Sequence, residues 1–244
     1  TADFTSNISG LAPQRQYYVR AYATNAAGTV YAPAINFWTL SNPPASQASG
    51  LSATASASGQ LTVSWTSATW PGFNANNAGY ALIYSTGTPT LSSTNGTAPA
   101  AGVGTLVTVL SVLPAGPSTS QIITGLTPGT TYNFLLVPFT WDGTNAATYN
   151  YLTTSAPTTS ATAVGNPTIT TTTVISSITN TAAASGGSGI SANSGTISAK
   201  GVVWNTATAP TTANSSTNDG TGTASFSSAL SSLSAQTLYY VRAY

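Results

Sequence analysis

The sequence predicts an all-β protein of tandem sandwich domains, one complete and one split across the two ends of the chain. Three observations carry this. Nearly every strong segment alternates with period two, is rich in Val, Ile, Thr, Tyr and Trp, and is bounded by Gly, Pro or Asn, which is the strand signal. No window has a convincing helical stripe at i, i+3, i+4 and i+7. The chain also contains one stretch twice. Residues 1–22 align with 223–244 without a gap, and 13 of the 22 positions are identical, through Tyr-Tyr-Val-Arg-Ala-Tyr at the end of both. An offset of 222 residues reads as one period of a repetitive protein, starting near the end of one unit and stopping at the same point of the next.

Taken in order, residues 1–40 predict the last strands of a sandwich, at 4–8, 17–24 and 32–40, with a turn at 25–28. Residues 41–47, with Pro43 and Pro44, read as a linker. Residues 41–164 predict the complete domain. A hairpin over 51–56 and 60–66 turns at Ala57-Ser58-Gly59, and strands follow at 80–85, 106–110, 121–124 and 132–140. Trp141-Asp142-Gly143 reads as a turn and the return strand falls within 151–162. That is about seven strands, the number a two-sheet sandwich uses. Residues 165–244 predict the first part of a second domain, with strands at 168–175, 179–184, 201–204, 222–227 and 238–244, and Gly186 to Gly189 as a loop. This piece lacks a final hairpin, and residues 23–40 show what that hairpin looks like.

Composition narrows the function. Hydrophobic residues make up 41%, enough for a core, while charged residues make up 3% against about 25% in a typical globular domain. The net charge is +1, and one period from Ala23 to Tyr244 is neutral, so the basic footprint of a nucleic-acid or anionic-membrane partner is missing. Ser and Thr are about a third of the chain, but five Trp, twelve Tyr and six Phe argue against a disordered stalk. No run of about 18 apolar residues predicts a membrane span.

The residues Gly125-Leu126-Thr127-Pro128-Gly129-Thr130-Thr131-Tyr132 form a Leu-x-Pro-x-x-x-Tyr corner, repeated at Leu11 to Tyr17 and, with Ala235 for proline, at Leu233 to Tyr239. With Trp65 on the second strand, these resemble fibronectin type III domains. The resemblance implies that Tyr17, Tyr132 and Tyr239 fill the core while each hydroxyl bonds upstream backbone. The split domain further resembles a repeat of very long bacterial surface proteins, through Gly201-Val202-Val203-Trp204, Asp219-Gly220-Thr221-Gly222, Phe226 and the stretch from Tyr17 to Tyr31. That resemblance implies a secreted adhesin, a surface fibre or a spacer array, at the cell surface or outside the cell.

Catalysis needs positioned acids, bases or nucleophiles. His, Cys and Glu are absent, and Asp3, Asp142 and Asp219 fall in separate segments, so the chain is expected to be neither an enzyme nor a metal or cofactor protein. Asp142-Gly143 and Asp219-Gly220 read as turns. Arg20 is expected to lie between Tyr18 and Tyr22 on the surface. Asn7, Asn95 and Asn214 stand in glycosylation sequons, a weak signal in so Ser/Thr-rich a chain.

Two groups are interaction candidates. Trp70, Phe73 and Trp141 fall in loops at one end of the middle domain. They are expected to pack on the preceding domain around Trp38, or else to stack on sugars. Leu135, Val137 and Phe139 are the outward alternates of the long strand, expected either to face a neighbouring chain or to be covered by another strand. The partners expected are further copies of the repeat, head to tail in a filament or meeting laterally, with glycans as a second candidate. A single lysine leaves sandwich edges unguarded.

Overall fold

The computed structural model describes residues 3–70, 77–100, 106–113, 116–117 and 119–244, with the backbone alone for 106–113, 116–117 and Thr171. Among these residues the secondary structure is β apart from one 3-10 turn, Ala146–Thr148. The chain divides into two compact units: Thr1–Thr54 with Thr62–Ile123 and Thr131–Ala161, and Ala55–Leu61 with Thr124–Thr130 and Thr162–Tyr244.

The first unit opens with four short strands. β1 (Gln16–Val19) pairs antiparallel with β4 (Ile35–Trp38), and β2 (Tyr22–Asn25) with β3 (Gly28–Tyr31). The expected strand at 17–24 is therefore broken in two, the one at 32–40 is shortened to β4, β3 forms ahead of it, and residues 4–8 form no strand. The turn at 25–28 is present, closed by the Ala27 N–H donating to Asn25 Oδ1 at 2.9 Å. Two strand pairs without a second layer have no interior. Phe4, Tyr18, Tyr22, Val30, Tyr31 and Ile35 accordingly stay exposed.

The middle sandwich follows. β5 (Ser49–Ala57) and β6 (Gln60–Thr66) form the expected hairpin, and Gly59 at its turn has φ +64. A Cβ there would come within 2.8 Å of the Leu126 carbonyl oxygen, so the position requires glycine on two counts. β7 (Ala78–Ser85), β8 (Leu106–Leu113), β9 (Gly116–Pro117), β10 (Ser120–Ile123) and β11 (Thr131–Thr140) come next. The return strand is two pieces, β12 (Asn150–Tyr151) and β13 (Thr158–Thr162), both paired to β11. One sheet runs β10-β6-β5 and the other β12-β11-β7-β8-β9. The first, second and fifth long strands thus share one sheet, and the third, fourth, sixth and seventh the other, which is an immunoglobulin-like arrangement.

β7 and β11 pair along their whole lengths, from Asn133↔Ser85 to Thr140↔Ala78. On the inner face of this pair Tyr80, Leu82, Phe134 and Leu136 are all buried, as are Val63 and Trp65 of β6. Trp65 and Trp70 both meet the Tyr80 ring edge-on, at 5.3 and 5.2 Å. The Tyr80 hydroxyl accepts the Ala68 N–H at 2.7 Å, which satisfies the one polar atom the ring carries inward.

The second unit contains β14 (Thr171–Thr172), β15 (Ala183–Ser188), β16 (Val202–Asn205), β17 (Ser215–Ser216), β18 (Phe226–Leu230) and β19 (Tyr240–Ala243). Its sheets run β14-β15-β18 and β17-β16-β19. Ala183, Val202, Trp204 and Leu230 form the core between them. The expected loop at Gly186 to Gly189 is corrected: Gly186 and Gly187 lie inside β15. A Cβ on Gly186 would strike the Phe226 carbonyl oxygen, and one on Gly187 would sit 2.7 Å from the Phe226 ring. The glycines admit β18 at close range rather than break the strand. Also in this unit, the Gly59 and Gly129 N–H groups hold the Val164 and Ala163 carbonyls, each at 2.8 Å, so the segment at 163–164 is bonded backbone and not slack chain.

Candidate interaction surfaces

The outward face of β11 is covered. Val137 and Phe139 are 1% and 2% exposed, and Leu135 is half-buried. With Ala81 and Ile83 of β7 they form a second core, roofed by Tyr149 and Tyr151. Phe139 lies 5.2 Å from the Tyr149 ring and 5.8 Å from Tyr151. The roof is tied down from outside. The Gly96 N–H donates to the Tyr149 carbonyl at 2.8 Å, the Tyr151 N–H to Asn95 Oδ1 at 2.8 Å, and the Tyr151 hydroxyl to the Thr97 carbonyl at 2.8 Å. Of the two alternatives expected for these residues, the packing matches cover by another strand, since Tyr151 belongs to β12 of the same sheet. Period two marks two faces of a strand but not what crosses above either.

Trp141 stacks on Tyr149 at 4.8 Å and 16°, and Tyr149 on Tyr151 at 6.0 Å and 11°, in a ladder that extends the second core. Trp70 turns inward onto Tyr80. Phe73 lies outside the described residues. Trp38 ends β4 opposite Gln16, and among the described residues no ring contact joins it to Trp70 or Trp141. The ring contacts of Trp70 and Trp141 lie within the middle sandwich, and what links Trp141 to residues 3–40 is its carbonyl, which accepts from the Gln14 amide.

What joins residues 3–40 to the sandwich is a set of polar side chains bonded mostly to backbone, which the alternation of apolar residues does not mark. The Gln14 amide donates to Ser41 Oγ at 2.8 Å and to the Trp141 carbonyl at 3.1 Å. The Ser41 N–H donates to the Thr148 carbonyl at 2.9 Å, and Asn150 Nδ2 to the Ser41 carbonyl at 2.6 Å. The buried Thr140 hydroxyl donates to the Asn42 carbonyl at 2.6 Å. Gln47 Nε2 bonds the Leu152 and Thr154 carbonyls at 2.6 and 2.9 Å. Residues 41–47 are a strap bonded along the sandwich, not a swinging linker.

The tyrosine corners of the two repeat copies match. Tyr17 Oη accepts the Ala12 N–H at 2.9 Å and Tyr239 Oη accepts the Ser234 N–H at 3.0 Å. Gln14 and Gln236 share a left-handed backbone, φ 58 and 56. Tyr132 packs edge-on against Tyr84 at 6.1 Å.

The charged residues serve local structure. Asp142 Oδ1 accepts the N–H groups of Thr144 and Asn145 at 2.8 and 2.6 Å, closing the turn. Burial opposes its ionisation, but these N–H groups and the Thr148 and Thr144 hydroxyls outweigh it and hold the carboxyl below its usual range. Asp219 Oδ2 accepts the hydroxyls of Thr217 and Ser228. Buried Lys200 donates from Nζ to the Ala224 carbonyl at 2.6 Å, with the Phe226 ring 5.7 Å away. Arg20 stacks on Tyr31 at 4.0 Å, a cross-strand partner rather than its expected neighbours Tyr18 and Tyr22. Among the described residues no three His, Cys, Asp or Glu converge as a metal site would require.

The open apolar surface lies elsewhere. In the second unit a groove of about 530 Å³ runs beside β19, lined by Ile175, Ile178, Leu230, Leu233, Tyr239 and Val241. In the first unit Ile35 and Phe37 of β4 are 67% and 36% exposed.

No family model matches the chain, and no curated protein is similar to it. Solved structures are. The FN1-FN3 domains of chicken CNTN1 align over 96% of this chain and 71% of that one, at 15% identity and a TM-score of 0.47. A two-domain fibronectin type III segment of chicken tenascin aligns over 83% of this chain and 90% of that one, at 15% identity and a TM-score of 0.28.

Proposed function

We propose that this chain is a structural repeat unit of an extracellular bacterial filament or giant adhesin stalk, without catalytic activity. The observation that carries the proposal is the bonded strap at 41–47. Gln14, Ser41, Thr140, Thr148 and Asn150 fasten the end of one domain to the flank of the next through five hydrogen bonds of 2.6–3.1 Å. A spacer whose task is reach gains from a flexible Gly/Ser linker. A load-bearing thread gains from a fixed joint. The internal repeat, with matching tyrosine corners, supports placing this joint in a series. The near absence of charge supports contact between neighbours, because little electrostatic repulsion keeps such surfaces apart.

The rival is a spacer or carbohydrate-binding module of a secreted enzyme; the packing of Trp70 on Tyr80 and of Trp141 on Tyr149 favours the structural reading. Electron microscopy of the native material tests the proposal. Fibres with a constant axial repeat matching one 222-residue period are expected, and a gene holding one or two periods beside a hydrolase domain would overturn it.

A further inference from the structure

Residues 163–168, between β13 and β14, read Ala-Val-Gly-Asn-Pro-Thr, and Gly-Asn-Pro is a loop signal. In the second unit this stretch is nonetheless bonded from two sides. On the first side the Ala163 N–H donates to the Thr130 carbonyl at 3.0 Å, and the Ala163 and Val164 carbonyls accept from Gly129 and Gly59. The Asn166 N–H donates to Ser58 Oγ at 3.2 Å. On the second side stands the loop between β15 and β16. The Gly165 N–H donates to the Asn193 carbonyl at 2.7 Å, and Asn193 Nδ2 to the Asn166 carbonyl at 2.5 Å. Thr168 and Ser191 exchange both backbone hydrogen bonds, at 3.0 and 2.9 Å.

The loop meets this stretch with a single tight turn. The Gly195 N–H donates to the Ala192 carbonyl at 2.9 Å, and Asn193 and Ser194 between them have φ 44 and 68. Positive φ at both central positions marks a type I′ turn, which prefers Asn-Gly. Asn193 suits its place. Ser194 stands where glycine is preferred and carries a Cβ that a left-handed backbone disfavours. Among the described residues this is the one place where two successive non-glycine residues are left-handed. Such strain persists only where the surroundings over-determine it. Ser191 Oγ donates to Asn193 Oδ1 at 2.8 Å, which orients the amide so that Nδ2 reaches Asn166. A Cβ on Gly165 would stand 3.0 Å from Asn193 Cβ and 3.1 Å from Pro128 Cβ, and one on Gly129 3.2 Å from Ser194 Oγ. The turn therefore fits against two glycines, and a side chain on Gly165 would wedge it away.

The contact is also shallow. None of residues 164–168 or 191–195 is fully buried, and none belongs to the core around Val202 and Leu230. Four hydrogen bonds hold the turn to the stretch, and the turn's own backbone opposes them. Segments with few buried apolar contacts open locally at far lower free energy than a core does. Opening here would relieve Ser194 and leave only polar groups to meet water.

We propose that the turn at 192–195 is a clasp. Closed on 163–168, it fixes the chain between β13 and β14. It opens as one unit while the sheets of β15–β18 and β16–β19 stay folded. Asn193 is the positioning residue that holds it shut, and the strain at Ser194 sets how readily it opens. The clasp is a property of a single molecule, so it stands or falls independently of the fibre.

Hydrogen exchange of the full chain tests it, with the Gly165 and Thr168 amides as reporters. Asn193→Asp keeps the shape of the side chain and its tolerance of a left-handed backbone, but cannot donate to the Asn166 carbonyl. Exchange at 165–168 should rise about tenfold or more, with the protection of Ala183–Ser188 unchanged. Ser194→Gly keeps the turn and removes the strain, so exchange there should slow about fivefold. Two adjacent positions with opposite effects are what a clasp under strain gives and an ordinary loop does not. The chain has no cysteine, so spin labels on Ser56→Cys and Ser198→Cys report the spread of distances across the clasp. A narrow distribution is expected for the parent and a broadened one for Asn193→Asp and Gly165→Ala. Should Gly165→Ala fail to fold, the variants at 193 and 194 carry the test. Parent-like exchange in Asn193→Asp, or faster exchange in Ser194→Gly, would overturn the clasp. So would a rise at 165–168 shared by residues 183–188, because the turn would then be part of the core.

Discussion

Phe139→Ala separates a folded second core from an intermolecular surface. Phe139 is 2% exposed and touches two tyrosine rings at 5.2 and 5.8 Å. Replacing a buried phenylalanine by alanine costs about 3–5 kcal/mol. Aromatic pairs contribute about 0.5–1.5 kcal/mol beyond the area they bury, and two are lost. The roof above cannot settle into the vacated space easily, because Tyr149 and Tyr151 are bonded to residues 95–97 on their far side. The upper half of the range is therefore expected, about 4–5 kcal/mol. At about 4 °C per kcal/mol for a sandwich of this size, the midpoint of thermal unfolding should fall by about 15–20 °C. Near-UV circular dichroism follows the tyrosine ladder directly. Melts at well-separated protein concentrations should superimpose, since the contact lies within one chain. Phe139→Leu keeps most of the volume and should cost about 1 kcal/mol. An unchanged midpoint for Phe139→Ala, with reduced assembly instead, would refute the second core and restore the face as a surface for a partner.

Two further outcomes follow from the same geometry. Stability should be flat from about pH 5 to 9, because linkage needs a difference in proton uptake and no shifted group titrates there. The Asp142 carboxyl is held below its ordinary 3.8, so its contribution is present above that pH and lost as pH falls through the lower folded value. Burial pushes the phenols of Tyr80, Tyr84, Tyr149 and Tyr151 above 10.0, so their contribution is intact below pH 10 and lost at higher pH. Melting temperatures at pH 5.5 and 8.5 that differ by more than a few degrees would point to a coupled group elsewhere. At the strap, Thr140→Val with Asn150→Leu removes the donors to Asn42 and Ser41 and should cost about 1–3 kcal/mol. Hydrogen exchange should accelerate at residues 41–47 while the β7–β11 core keeps its protection, and unchanged exchange at 41–47 would show that the strap is held by something else.

Much of this protein is legible from local pattern. Pattern locates β6, β7 and β11 to within two or three residues: β6 alternates because one of its faces meets the core, while β7 and β11 are apolar runs bounded by turn residues because both their faces are covered. The tyrosine corners at Tyr17 and Tyr239 follow from seven residues, since hydroxyl and acceptor strand are tied by a short loop. The 222-residue repeat needs no structure to be seen. What the sequence left open is what depends on segments distant along the chain. Leu135, Val137 and Phe139 alternate in the way any outward face does, and only the crossing of residues 91–97 with 149–151 turns that face into a core. Gly186 and Gly187 look like a loop until Phe226 is seen to need their missing side chains. The strap at 41–47 bonds through Gln, Asn, Ser and Thr side chains set against backbone carbonyls, and in a chain so rich in Ser and Thr nothing local marks which of them will find a distant partner. β1 and β19, nearly identical in sequence, bond through opposite alternate backbone groups, because the neighbour is β4 in one case and β16 in the other.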